Sequence, residues 1–112
     1  MMNSMDERIF SVLADATYAC SYWASTVDYD KSKLTKGKKF DTFEEKLLDC
    51  LKNGGIVTYY DIEDKTPYEV TYEKMEKGIN KLLKIHKGNW ERIVDYSDQI
   101  LQYCLFGEVV FG

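Results

Sequence analysis

The chain has 112 residues, 45% apolar and 14% aromatic, with one proline, 30% charged residues and a formal net charge of -4. That is the size of one domain, with apolar surface enough for a core and a composition unlike that of disordered chains. No apolar run approaches the ~18 residues of a membrane span, and the N-terminal MMNSMDERIF carries acids where a signal peptide carries lysines, so the expected location is cytoplasmic.

Ser4 with Glu7 three residues on reads as a capping box opening a first helix. Ile9, Val12, Leu13, Ala16, Ala19, Cys20 and Trp23 then keep helical spacing, and Phe10, Tyr18 and Tyr22 lie towards a second face. Residues 25–30, STVDYD, change to alternation, with Val27 and Tyr29 between polar neighbours, which predicts a strand. The segment 31–39, KSKLTKGKK, has no period and reads as a mobile lysine-rich loop.

A second helix is expected over about 42–53, capped by Asp41 with Glu44, with Phe43, Leu47, Leu48 and Leu51 on its apolar face and Asn53-Gly54-Gly55 ending it. Residues 56–63, IVTYYDIE, are rich in β-branched and aromatic side chains and give the strongest strand signal. Asp64-Lys65-Thr66-Pro67 reads as a turn. Thr71 caps a third helix over about 72–87, with Met75, Ile79, Leu82, Leu83 and His86 inward and Lys74, Lys77, Lys81 and Lys84 on the opposite stripe. A fourth helix carries Ile93 or Val94, Ser97, Ile100, Leu101 and Cys104, and Gly107 ends it before a short strand at 108–111. The closing Leu105, Phe106, Val109, Val110 and Phe111 are expected to be buried in the fold or a partner, since together in water they would form a sticky patch.

The predicted architecture is a single-domain α+β fold, a small sheet of three or four strands packed against about four helices. The strands at 25–30 and 56–63 are open to either a parallel or an antiparallel arrangement.

Charge is segregated: 31–39 holds five lysines and no acid, 54–73 holds five acids against one lysine, and 74–92 holds six basic residues against two acids. Asp28, Asp30, Asp61 and Glu63 fall at the ends of two predicted strands. If those strands are neighbours, the four carboxylates share a rim that can hold a divalent cation or imitate nucleic-acid phosphates to a basic partner; as a bland alternative, they are a solvated sheet edge that discourages aggregation. One of Tyr59 and Tyr60, which point to opposite faces, would stand exposed beside them as an anchor. Lys74, Lys77, Lys81 and Lys84, with loop 31–39, form the alternative: a phosphate-binding surface, or the ordinary solvent face of an amphipathic helix.

Signs of catalysis are missing. His86 is the sole histidine and has no nearby cysteine or carboxylate, the Gly54-Gly55 pair follows a helix rather than a strand, and Ser25 and Ser97 have no identifiable base. Cys20, Cys50 and Cys104 are odd in number, widely spaced and set among apolar residues, so they read as reduced core thiols. The expectation is a non-enzyme without metal or cofactor.

Three stretches carry a resemblance: Tyr22-Trp23-Ala24 with Val27-Asp28-Tyr29; Val70-Thr71-Tyr72-Glu73 with Gly78; and Asp95, Asp98-Gln99-Ile100-Leu101-Gln102-Tyr103 with Phe106-Gly107-Glu108-Val109-Val110-Phe111-Gly112. The pattern is similar to small proteins encoded by tailed phages and prophages, over about half the chain, and departs from them in the lysine-rich loop. What the resemblance implies is an anti-defence protein of the anti-CRISPR type, acting in the host cytoplasm by stoichiometric binding to a host nuclease or defence effector; the strand-end acids make an acidic rim the expected contact surface. A nucleic-acid or nucleotide-signal binder using the lysine face is the alternative.

Overall fold

The computed structural model describes residues 3–112. Helix α1 (Ser4–Ala19) is capped one residue earlier than its sequence suggests: Asn3 Oδ1 accepts the Asp6 N–H at 2.8 Å. The chain turns at Cys20 into β1 (Ala24–Tyr29). A short 3-10 turn (Lys31–Lys33) follows, then α2 (Phe43–Lys52). The α2 cap is also displaced, from Asp41 to Thr42, which accepts the Glu45 N–H while the Glu45 carboxylate reaches back to the Asp41 N–H.

Strand β2 (Val57–Asp61) is shorter than the predicted 56–63, because Ile62 to Thr66 form the turn. Strand β3 (Pro67–Val70) has no counterpart among the predicted elements. Proline lacks the N–H of a ladder donor, so Pro67 reads as a breaker; here it opens an edge strand, where that donor is dispensable. Helix α3 (Tyr72–Ile85) starts as predicted, with Thr71 Oγ1 accepting the Lys74 N–H. The predicted fourth helix is two, α4 (Trp90–Ile93) and α5 (Ser97–Phe106), and Gly107 closes α5 in the left-handed conformation at φ 77°.

The sheet is antiparallel in the order β1-β2-β3. Alternation along β2 sends Val57, Tyr59 and Asp61 inward and leaves Thr58 and Tyr60 half-buried on the outer face. Register then sets Asp28, Thr58 and Glu69 in one outer row and Thr26, Tyr60 and Pro67 in the next. The inner face and the helices share one core that includes Ile9, Leu13, Leu47, Val57, Tyr59, Met75, Ile79, Ile100 and Leu101. The architecture is therefore the expected α+β fold with a three-stranded sheet.

Two close contacts hold the helices. Gly78 of α3 faces α5 so tightly that a Cβ there would sit 2.5 Å from the Cys104 backbone. Asp6 of α1, 1% exposed, accepts the Tyr72 hydroxyl at 2.6 Å and pairs with the Lys52 ammonium at 2.8 Å, joining α1, α2 and α3.

The C-terminal segment corrects the sequence reading. Residues 108–111 form no strand, and Val109 and Val110 are about half exposed rather than buried. The segment is instead held by one side chain. Gln102, fully buried, accepts the Val110 and Phe111 backbone N–H groups on Oε1, each at 2.8 Å, and donates through Nε2 to the Phe111 carbonyl at 3.1 Å. The glutamine amide thus does for this segment what a neighbouring strand's peptide group would do.

Candidate functional site

Antiparallel pairing separates the four acids predicted to share a rim. Asp28 lies opposite Thr58, whereas Asp61 lies opposite Ala24. Asp28 and Asp30 are thus at one end of the sheet and Asp61 and Glu63 at the other; only a parallel pair of strands would have gathered all four. Each half also has local work. Asp30 caps the 3-10 turn, accepting the Ser32 N–H at 3.0 Å and its hydroxyl at 2.6 Å, and the hydroxyl is the main reason that its carboxyl is held below the ordinary carboxylate range. Asp28 accepts the Tyr29 N–H at 2.8 Å and stays exposed.

Asp61 is 8% exposed and organises the turn after β2. Its carboxylate accepts the Tyr68 hydroxyl at 2.8 Å and the Glu63 N–H at 2.8 Å, which hold its pKa low. The same hydrogen bond is the leading reason that the Tyr68 phenol is pushed up to about 12. Glu63 itself is exposed. Tyr59 is fully buried and cannot anchor a partner. Its hydroxyl is buried beside Thr17 of α1 and makes no hydrogen bond; the Thr17 hydroxyl gives its own proton to the Leu13 carbonyl at 2.6 Å. Tyr60 is the half-exposed member of the pair, on the outer face.

The end of the sheet at Asp61 meets the turn after α1 and the C-terminal segment. Trp23, Tyr68, Phe106 and Phe111 pack as one aromatic cluster, with Phe111 stacked on Trp23 at 4.9 Å. Asp98 on α5 accepts the Trp23 indole N–H at 2.7 Å and the Tyr22 hydroxyl at 2.6 Å, and Gln102, one turn on, adds the C-terminal segment. Sequence reading passed over this pair, although a spacing of four puts Asp98 and Gln102 on one side of a helix that is otherwise apolar there. Tyr22, Trp23, Asp61, Ile62, Glu63 and Phe111 surround a cavity of about 120 Å³. At its rim Tyr22 is 50% exposed and Ile62 44%. The Ile62 N–H donates to the Trp23 carbonyl at 2.8 Å, so the exposed isoleucine stands on fixed backbone.

The lysines divide as well. Lys74, Lys77 and Lys81 line a second cavity with Gly78, Tyr103, Cys104 and Gly107, while Lys84 is outside it. Loop 31–39 belongs to α2. Asp49 accepts the Thr35 N–H at 2.7 Å and its hydroxyl at 2.9 Å and pairs with Lys38 at 3.5 Å, and the Asn53 amide donates to the Lys33 carbonyl at 2.7 Å. The segment expected to be a free loop is thus tied down by α2 side chains. Burial alone would raise the Asp49 pKa; the hydrogen bonds from Thr35 and the Lys38 ammonium together outweigh it and hold the carboxyl low.

Cys20, Cys50 and Cys104 are free and buried, and burial pushes the thiols of Cys20 and Cys104 up to about 11 and about 12. They are therefore poor nucleophiles. His86 caps α3 at its C-terminus, half-buried rather than on the inward face, beside Arg92, Tyr96 and Gln99. Among the described residues no group of three or more His, Cys, Asp or Glu is placed to hold a metal ion, and no helix is long and apolar enough to cross a membrane. No protein family, curated protein or solved structure matches this chain.

Proposed function

We propose that this protein acts without catalysis, by stoichiometric binding of a basic protein partner through the face formed by Tyr22, Ile62 and Glu63 around Asp61. The partner is a host nuclease or defence effector, and the protein is an anti-defence inhibitor of the anti-CRISPR type. The observation that carries this reading is the pairing of two exposed apolar side chains, Tyr22 and Ile62, with an exposed carboxylate around one small cavity on rigid backbone. Interfaces draw their energy from a few such anchors, and flanking charge supplies steering and specificity. Nuclease grooves hold phosphates with lysines and arginines, and the Glu63 carboxylate of this face offers such cations a complement. The resemblance of the YWA and DQILQY segments to small phage proteins supports the class of partner.

Asp28 and Asp30, at the far end of the sheet, are outside the working face. Asp61 supports it from beneath and is not itself a contact. The test is titration of the protein into cleavage assays of purified CRISPR and restriction nucleases. Inhibition complete at equimolar protein, lost in Glu63→Lys with Ile62→Ser and retained in Asp28→Lys, supports the reading. Retention in the double variant would contradict it.

A further inference from the structure

We infer that the notch between α3 and α5 is a binding site for phosphate groups. Its floor exists because Gly78 has no side chain: the two helices meet there at Cys104, and the space above is a cavity of about 200 Å³. Three lysines, Lys74, Lys77 and Lys81, line it. Lys74 Nζ donates to the Glu69 carbonyl at 3.1 Å and Lys81 Nζ to the Gly107 carbonyl, so backbone oxygens, which carry no net charge, hold both chains in place. Among the described residues neither has a carboxylate within ion-pairing distance. Lys77 pairs with Glu73 at 3.0 Å, but both side chains are more than 70% exposed, and such a pair contributes little and exchanges readily. The Tyr103 ring lies under Lys81 at 5.5 Å and closes one wall.

Three lysines and one exposed acid around a small notch leave a surplus of positive charge, with no ion pair at Lys74 or Lys81 among the described residues. A di- or triphosphate supplies the opposite charge and oxygen acceptors for several ammonium donors at once. The stripe on α3 is therefore not uniform: Lys74, Lys77 and Lys81 form the site, and Lys84 and loop 31–39 lie outside it. This inference is independent of the acidic face.

The experiment is an amide NMR titration of the full chain with inorganic pyrophosphate, with ATP and with a short oligothymidylate. The expected result is saturable shifts at Gly78, Lys81, Tyr103, Cys104 and Gly107. Affinity for the oligonucleotide should fall about tenfold between roughly 50 and 200 mM salt. Lys74→Gln and Lys77→Gln, both exposed, should each weaken binding about tenfold with the spectrum otherwise preserved, while Lys84→Gln stays within about twofold. Equal affinity for pyrophosphate and ATP would identify the phosphates alone as the ligand; much tighter oligonucleotide binding would identify a nucleic-acid backbone. No saturable shift at about 10 mM pyrophosphate, shifts centred on residues 31–39, or unchanged binding by Lys74→Gln and Lys77→Gln would overturn the site.

Discussion

Trp23 and Phe111 lie ring on ring, 4.9 Å between centroids and 6° between planes. The contact joins the turn after α1 to the C-terminal segment, and both rings line the cavity beside Asp61 and Glu63. The proposed working face is thus assembled from distant parts of the chain and depends on the terminal segment being held in place.

Removing the ring should test that dependence. Phe111 is partly buried, so Phe111→Ala should cost about 2–3 kcal/mol, which lowers Tm by roughly 10 °C in a domain of this size. Thermal unfolding followed by far-UV circular dichroism reads this directly, and an unchanged Tm would show that the stack is incidental.

Gln102 makes a separate prediction. Leucine has nearly the same volume but offers no acceptor to the Val110 and Phe111 amides. Gln102→Leu should release residues 108–112 while leaving α5 intact. In hydrogen exchange the Val110 and Phe111 amides should lose their protection, and those of Ile100 and Leu101 should keep theirs. Protection surviving at Val110 would mean that another group holds the segment.

Tyr59 carries a hydroxyl that is buried without a partner. An orphaned polar group of this kind is destabilising by about 1–3 kcal/mol. Tyr59→Phe should therefore leave stability unchanged or raise it, by up to that amount, in urea denaturation. A clear loss of stability would mean that the hydroxyl finds a hydrogen bond after all.

Stability should also depend on pH through the Asp6 cluster. Burial would raise the Asp6 pKa, but hydrogen bonds from Lys52 and Tyr72 and the Lys52 charge prevail and hold it below the ordinary 3.8. The folded state then binds the proton less well than the unfolded one. The stabilisation is present above the ordinary carboxylate pKa and is lost as pH falls through the depressed value. Tyr72 runs the other way: burial, then its bond to Asp6, pushes the phenol up to about 12 from 10.0, so its contribution is full below 10.0 and fades as pH climbs to about 12. Asp6→Asn should weaken the protein by about 1–3 kcal/mol near neutral pH and flatten the acid limb of a urea-midpoint series. An acid limb as steep as the parent's would assign that limb to other carboxylates, such as Asp49.

The elements with strong periodicity were legible in the chain: α1, β1, α2, β2 and α3 all lie within a few residues of where spacing predicts them. What escaped was set by partners distant in sequence. Strand β3 was hidden by Pro67, whose missing donor matters only if the strand is interior. Residues 108–111 have strand composition but face a glutamine side chain instead of a sheet, and no local pattern announces that. The acidic rim failed for a topological reason. Asp28 and Asp61 each sit where expected on their own strand, and strand direction, which neither segment encodes, puts them at opposite ends. Of the acids read from the sequence on this side, Glu63 is exposed and Asp61 is buried next to it, whereas the placing of Tyr22 and Ile62 beside them follows only once the turn and the terminus are folded together.

The most direct measurement is phage plating on hosts protected by CRISPR or restriction nucleases, with the protein expressed beforehand. The account predicts that the wild-type chain and Asp28→Lys both restore plating of the targeted phage. Glu63→Lys with Ile62→Ser, folded and equally abundant, should leave immunity intact. Restored plating by that double variant, or no restoration by the wild-type chain against any of these nucleases, would contradict it.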